Sequence, residues 1–548
     1  MFISKSKFLA KSGKIYSSII LRESYRENGK VKKRTIANLS NCSAEEIQAI
    51  ELALAHKKDL TDLGSFSEST KINEGLSFGS VWVLYQVAKK LGIIAALGND
   101  QNGKLALWQI FARVLEQGSR LSSVRLAQTY ALASIINIEK GFNEDDLYKN
   151  LHRLAQKQDK IENKLFETQK HDKTLFLYDV TSSYLEGTQN ELAEWGYNRD
   201  GKKGKKQIVI GLLCDKDGNA ISTKVFKGNT NDTTTFSSQI EKVKNRFQCK
   251  NVTYVGDRGM IKSAQIEDLA KHGFHYITAI TKKQIETLIK KNVLQYEFFD
   301  EKVCEISENQ IRYIFRKNPI RAQEIADNRN EKKDRIERLI EEQNDYLSKH
   351  PKAKASTAIK QVESKIKLLK IEGWLSVKNN DRKLSSILDK AELDNESRLD
   401  GCYVIKTDLK KEEAETQIIH SRYKDLSFVE SAFRTSKSNL ERPIYVRSEM
   451  STYGHVLVVM LAYIITKELD KSWSKLYLTV DEGLRSLSTL ATQEITVKDK
   501  YTFQQIPEPR NLNKKMLEAL GIELPKVIPK NEMIVVTKKS RRKSVIKN

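Results

Sequence analysis

Proline is scarce, with 7 in 548 residues, too few for long extended linkers between domains. Cysteine is scarcer. The 5 cysteines (Cys42, Cys214, Cys249, Cys304, Cys402) are scattered, odd in number and never in a CxxC pair. That excludes a disulfide framework and a zinc ribbon and fits a reducing compartment. The longest apolar run, Val456 to Ile465, has ten residues, whereas a bilayer span needs about 20. The opening MFISKSKFLAKSGK has no apolar stretch of signal-peptide length, so no membrane partner is expected. What is present is enough apolar content for packed cores, 39%, and 30% charged residues. Lys and Arg number 94 against 71 Asp and Glu, a net charge of +23. An intracellular protein with a polyanion partner, most often nucleic acid, is the class that remains.

The excess charge is uneven. Residues 1–40 hold ten basic and two acidic residues, giving +8, and residues 529–548 hold seven and one, giving +6. The N-terminal segment has β-prone runs on both sides of Glu27-Asn28-Gly29-Lys30, and Asn-Gly between such runs signals a hairpin. Two readings stand for it: a basic hairpin lying on DNA phosphates, or a solvated edge whose lysines block aggregation. The tail Lys538 to Ser544 (KKSRRKS) reads as a disordered basic segment suited to non-specific backbone contact.

The periodicities divide the chain into six parts. Residues 1–75 hold the hairpin, a helix from Ser43 to Lys58 and a linker. Residues 76–170 repeat apolar positions at helical spacing (Val81, Leu84, Tyr85, Ala88; Leu107, Ile110, Phe111, Val114; Leu147, Leu151, Leu154) and form a helical domain that is either DNA-binding or a scaffold, with no helix-turn-helix signature to choose between them. Residues 171–280 alternate in the order strand, strand, strand, helix, strand, helix, strand, which indicates an α/β mixed sheet containing one antiparallel hairpin. Residues 281–400 interrupt this with short β-like pieces (Val293 to Phe299, Gln310 to Phe315) and a charged helical hairpin with stripes Ile336, Leu339, Ile340, Leu347 and Ile359, Val362, Ile366, Leu369. Residues 401–465 return to β texture and then a helix from about Glu412; residues 466–548 form a helical C-terminal region with the basic tail.

Three carboxylates stand out by context. Asp179 ends the run Leu175-Phe176-Leu177-Tyr178, and Asp257 follows Val252-Thr253-Tyr254-Val255-Gly256. An ionised Asp at the end of a buried strand is costly unless paired or metal-bound. Two on adjacent strands would repel one another, and a divalent cation would relieve that; the alternative is that each caps a turn. Glu430 lies in a segment whose apolar stripe is Leu426, Val429 and Phe433. Tyr423, Glu430 and Lys437, spaced by seven, fall along one edge of that segment. Such a row suits a cation and phosphate oxygens, or else it is a solvated face with Glu430 paired to Arg434. Asp232 reads as a helix cap, His455 as a core histidine, and the cluster Lys202-Lys203-Gly204-Lys205-Lys206 as either a DNA-gripping or a solvated loop.

These motifs in order resemble the DDE transposases of bacterial insertion sequences, in the insertion sequence four superfamily. The signature of that superfamily is Tyr-x2-Arg-x3-Glu-x6-Lys. Tyr423, Glu430 and Lys437 match it, and Leu426 stands where Arg is expected. That departure, with YDVTSSYLEG around Asp179, FKGNTND at Phe226 to Asp232, VGDRGM around Asp257, RESYRENGKVKKRTIANL near the N-terminus and RPIYVRSEMSTYGHV after the Glu430 helix, is similar to the insertion sequence 1634 group. The resemblance spans about residues 15 to 490. It implies an RNase H-like core interrupted by an insertion, with Asp179, Asp257 and Glu430 as catalytic ligands of two Mg²⁺ (or Mn²⁺) ions. It implies Tyr423 and Lys437 on DNA phosphate, with Arg434 and Arg258 as candidates to replace the missing Arg. Trp374, the only Trp in the insertion, is a candidate to stack on a flipped base or a packing residue. The implied partners are double-stranded DNA, both the element's terminal inverted repeats and its target, and a second copy on paired ends. The implied location is the bacterial cytoplasm, at the nucleoid.

Overall fold

The computed structural model describes residues 1–9, 15–55, 57, 70–169, 171, 173–197, 199, 201, 202, 204–497 and 501–525. The basic tail, Lys11, Lys14 and Lys203 lie outside the described residues. β1 (Phe2–Leu9), β2 (Ile15–Glu27) and β3 (Lys30–Asn38) form an antiparallel sheet. The expected hairpin is its β2–β3 half. Asn28 and Gly29 both take positive φ, 49° and 76°, the turn whose twist matches the flanking strands. Lys30, Lys32, Lys33 and Arg34 are all exposed on β3, and Arg34 ion-pairs with Glu23 across the hairpin at 2.6 Å.

After α1 (Ala44–Ala55) and β4 (Thr70–Ser77) the chain becomes helical, with α2 (Gly79–Lys90), α3 (Gln101–Leu115) and α4 (Glu144–Thr168) as its long members. Asn143 starts α4 because its side chain accepts from the amides of Asp145 and Asp146 while Asp146 caps it in return. The stripe Leu147, Leu151 and Leu154 is buried and continues through Ile161 and Leu165.

The catalytic-type core then follows the expected order: β5 (Leu175–Tyr184), β6 (Gln207–Asp215), β7 (Ala220–Lys227), α5 (Asp232–Glu241), β8 (Thr253–Gly256), α6 (Ser263–Lys271) and β9 (His275–Ala279). β10 (Cys304–Glu308), β11 (Ile311–Lys317) and β14 (Cys402–Thr407) complete one eight-stranded sheet, in the order β10-β11-β14-β9-β8-β5-β6-β7. β5, β6 and β7 pair antiparallel, while β8 and β9 run parallel to β5. This is the RNase H-like arrangement that the resemblance implies. β10 and β11 belong to the sheet although they fall within 281–400. What leaves the sheet is α7 (Pro319–Lys349), α8 (Ala355–Leu369) and the hairpin β12 (Leu375–Asn380) and β13 (Lys383–Leu388). The two stripes read from the sequence meet there, with Ile336, Ile340, Leu347, Val362, Ile366 and Trp374 in one core. Val293 to Phe299 carries a short 3-10 turn, Tyr296–Phe298, instead of a strand.

The helix expected from about Glu412 is two helices, α9 (Thr416–Lys424) and α10 (Leu426–Asn439). The ten-residue apolar run is the middle of α11 (Glu449–Trp473). By length and composition this helix could cross a bilayer, but 83% of its most apolar stretch is buried inside the protein. It packs against α3, α4 and β7, tying the helical region to the sheet. Gly454 is where α11 passes closest to α4: a Cβ there would stand 2.1 Å from the Leu151 carbonyl oxygen. Backbone cannot yield to that, so Gly454→Ala should destabilise the fold by about 3 kcal/mol, read as a lowered thermal midpoint of the full chain. The C-terminal region is not purely helical. β15 (Ala491–Val497) and β16 (Tyr501–Gln505) close a three-stranded sheet with β4, across more than 400 residues of sequence.

Candidate active site

The parallel register of β5 and β8 ends at the pair Tyr178↔Gly256. The next residue in each segment is an aspartate, so Asp179 and Asp257 lie side by side. Asp257 follows the end of β8, whereas Asp179 is not the strand end expected from the sequence but mid-strand, because β5 stays paired with β6 as far as Tyr184. β8 stops there, and Asp257 opens a turn in which the Met260 amide donates to its carbonyl at 2.9 Å. Each carboxylate accepts the following backbone amide, Val180 or Arg258, at 2.7 Å. α10 lies along β5 because Val429, Ala432 and Phe433 are buried on one of its faces. That packing brings Glu430 to the same place. Asp179, Asp257, Glu430 and Tyr423 line one cavity of about 370 Å³, together with Leu426, Ser427, Lys424, Arg316, Asn318 and Tyr403.

The electrostatics agree with the geometry. Burial first, and then the charges of Asp257 and Glu430, push the Asp179 carboxyl up to about 7 against the pull of the Val180 amide and Arg199. The Tyr423 hydroxyl is also pushed up, by burial first and by all three carboxylates, with Arg258 opposing. Tyr423 therefore keeps its proton and can donate it in a hydrogen bond. Among the described residues no group of three His, Cys, Asp or Glu stands close enough to grip one ion as placed. The donor set nonetheless fits hard divalent cations: carboxylate oxygens from three separate elements face one cavity, and their mutual repulsion is what a cation offsets.

The other sequence candidates are dispersed. Tyr423 sits on α9 and Glu430 on α10, because the expected single helix breaks at Asp425; Tyr423 reaches the cavity all the same. Lys437 lies two turns beyond Glu430 and donates to the Ser182 carbonyl of β5 at 2.5 Å. Arg258 and Arg434 are exposed, and neither lines the cavity. Trp374 is 2% exposed in the core of the insertion and does not line the cavity either. A stacking role would require it to leave that core, so its position is that of a packing residue. Asp232 is the first residue of α5, after the N-cap Asn231, and pairs with Arg199 at 2.7 Å. His455 is a core histidine: its Nε2 faces the Glu441 carbonyl at 2.9 Å and Nδ1 faces the Arg120 guanidinium at 3.0 Å. Arg316, Asn318, Tyr403 and Lys424 were missed. Only Lys424 had a signal, its place beside Tyr423. Arg316 and Tyr403 reach the cavity through sheet pairing that spacing does not reveal.

Comparison with known proteins adds an independent line. The family model "Transposase DDE domain" matches residues 170–465, and "IS1634 family transposase, N-terminal domain" matches residues 3–67. No curated protein matches. Among solved structures, a cryo-EM structure of the piggyBac transposase synaptic complex with hairpin DNA aligns at TM-score 0.33 and 8% identity, over 74% of this chain and 70% of that one. A Mos1 transposase paired-end complex with left transposon end aligns at TM-score 0.15 and 10% identity, over 33% and 58%. Both likenesses are too slight to argue from. The DDE-domain match alone covers more than half of the chain and spans all three carboxylates, and the chain therefore belongs to the DDE transposases, of the IS1634 type.

Proposed function

We propose that this transposase cuts the ends of its own insertion sequence and joins them to target DNA, with Asp179, Asp257 and Glu430 holding two Mg²⁺ (or Mn²⁺) ions. The observation that carries the reading is that these three carboxylates, distant in sequence, line one cavity inside the matched DDE domain. Divalent ions bound there supply a Lewis acid for the scissile phosphate and a lowered pKa for the attacking hydroxyl.

The chain's own residues do the rest. The middle of β5 carries Asp179, the turn after β8 carries Asp257 and α10 carries Glu430, so ordered backbone brings all three donors to one cavity. Tyr423 donates its hydroxyl hydrogen to a phosphate oxygen of the bound strand. Lys437 holds β5 at Ser182 and offers a positive charge beside the DNA path. The exposed cations of β3 grip the duplex through its phosphates, independently of sequence. In-line displacement needs no covalent protein intermediate, so one site can first cut and then join, using water and afterwards the freed 3′-hydroxyl. The substrates are double-stranded DNA, the terminal inverted repeats and the target, held by a homodimer on paired ends in the bacterial cytoplasm.

The test uses the full chain and a duplex carrying the inverted repeat that flanks its reading frame. In Mg²⁺ a cut leaving a 3′-hydroxyl is expected, and in EDTA none. Supplying pre-cut ends and a target plasmid separates a transposase, which joins them, from a nuclease, which does not. Binding without any cleavage would mark a non-catalytic DNA-binding protein and overturn the proposal.

A further inference from the structure

We propose that Arg316, aimed by Tyr403 and His420 and flanked by Lys424, forms an anion subsite that takes a phosphodiester oxygen of DNA at the carboxylate cavity. This rests on the transposase reading and adds to it a wall of the site supplied by the sheet edge that leads into the insertion. Arg316 is the next-to-last residue of β11, just before the chain departs into α7. In the antiparallel register of β11 and β14 it stands opposite Tyr403. Both line the cavity that holds Asp179, Asp257 and Glu430.

The contrast with Arg312, two strand repeats earlier on the same strand, separates a structural arginine from one left open for a ligand. Arg312 is saturated: it makes two contacts to Glu305, at 2.8 and 2.9 Å, and donates to the carbonyls of Leu409, Lys410 and Ala414. Arg316 has, among the described residues, no ion pair, and its Nε is buried without a hydrogen-bond partner. Its guanidinium approaches the Tyr403 hydroxyl. That hydroxyl also meets Nε2 of His420, a residue 3% exposed on α9. Burial first, then Lys424 and Arg316, disfavour the charged form of His420. A neutral Nε2 accepts the tyrosine hydrogen, so the Tyr403 oxygen presents lone pairs to Arg316 and holds the fork in place. A guanidinium has five donors, and Tyr403 uses few of them.

The remaining donors face a cavity where a phosphate would lie. Planar two-point recognition of phosphate is what a guanidinium does better than an ammonium. The opposite wall offers no such group, because Leu426 occupies its place on α10 and Arg258 and Arg434 do not line the cavity. The three carboxylates outnumber Arg316 and Lys424 there. With divalent ions bound the balance becomes positive, which is the state in which a phosphodiester is held.

The experiment uses the full chain and the flanking inverted-repeat duplex, with single methylphosphonates placed one at a time around the cut. Arg316→Ala should slow cleavage about 100-fold and lower the slope of log binding constant against log salt, measured on a pre-cut duplex with Mg²⁺ present, by about 1. Arg316→Lys should recover part of both. One neutralised phosphate should weaken the wild type as much as Arg316→Ala does and weaken that variant no further, whereas Arg434→Ala should remain additive with it. Thermal unfolding of each variant checks folding. Should Arg316→Ala fail to fold, the methylphosphonate series on Arg316→Lys decides by the same non-additivity. If the wild type cleaves and Arg316→Ala matches it in rate and salt slope, or no phosphate position couples to Arg316, the subsite is refuted and the transposase reading stands. If the wild type itself does not cleave in Mg²⁺, it is the transposase reading that fails.

Discussion

Replacing Asp179, Asp257 or Glu430 by alanine, one at a time, is expected to lower cleavage at the element's end by at least ~10³-fold, while duplex binding in EDTA stays within a few-fold of wild type. The groups act as a unit around one cavity, so a double variant should lose little more than a single one. The loss should not come from unfolding. Asp257 and Glu430 are exposed, and removing them creates no void. Asp179 is held in a place that disfavours its charge, its carboxyl pushed up to about 7 by burial and by the two neighbouring carboxylates. Without added metal, Asp179→Asn should therefore melt no lower than wild type. A variant that is inactive, binds DNA and melts normally is the combination expected of a site carboxylate. Gel-shift, cleavage and thermal-unfolding measurements on the same preparations check it.

The second large effect concerns stability. Glu162, on α4, is fully buried, yet its carboxylate is saturated. It accepts from Ser222 Oγ at 2.8 Å, from the Thr223 amide at 3.1 Å and from Gln158 at 2.8 Å, and it is paired with Arg246 and with Lys242 at 3.7 Å. Gln158 lies on α4 itself, but the other partners lie on β7 and in the helical turn Lys242–Arg246 after α5, so one side chain fastens the helical region to the catalytic sheet. Breaking a buried pair by removing one partner leaves uncompensated charge, and Glu162→Ala should cost about 3–5 kcal/mol. The pH dependence has a definite sign. Burial opposes the charged form, but Lys242, Arg246 and the Gln158 amide together hold the carboxyl below its ordinary 4.5. A group depressed on folding contributes stability that is full above the unfolded value and is lost as pH falls through the folded one. The wild type should thus lose stability below about pH 4.5, and the part of that loss due to Glu162 should be missing in Glu162→Gln, as chemical denaturation at several pH values will read.

Much of the core was legible because its signals are local. Two β-prone runs each ending in Asp announced Asp179 and Asp257, and their adjacency follows from one parallel register. The β2–β3 turn was written in Asn28-Gly29, and the stripes of α7 and α8 in a period of 3.6 residues. What escaped depends on pairing between distant segments. Arg316 reaches the cavity that Glu430 lines only because β11 pairs with β14, which pairs with β9. β4 meets β15 across most of the chain, and nothing in either segment names the other. Trp374 looked informative as the only tryptophan of the insertion, but a small inserted unit needs a large side chain to fill its core, and that is where Trp374 lies.

The most direct test follows the stereochemistry of joining. A pre-cut element end is joined to a target whose acceptor phosphate is a phosphorothioate of known configuration, by the full chain in Mg²⁺. One in-line displacement at the Asp179–Asp257–Glu430 cavity predicts inverted configuration at phosphorus and no joining by Glu430→Ala. Retained configuration, which requires an even number of displacements through a protein-bound intermediate, or undiminished joining by Glu430→Ala, would contradict the account.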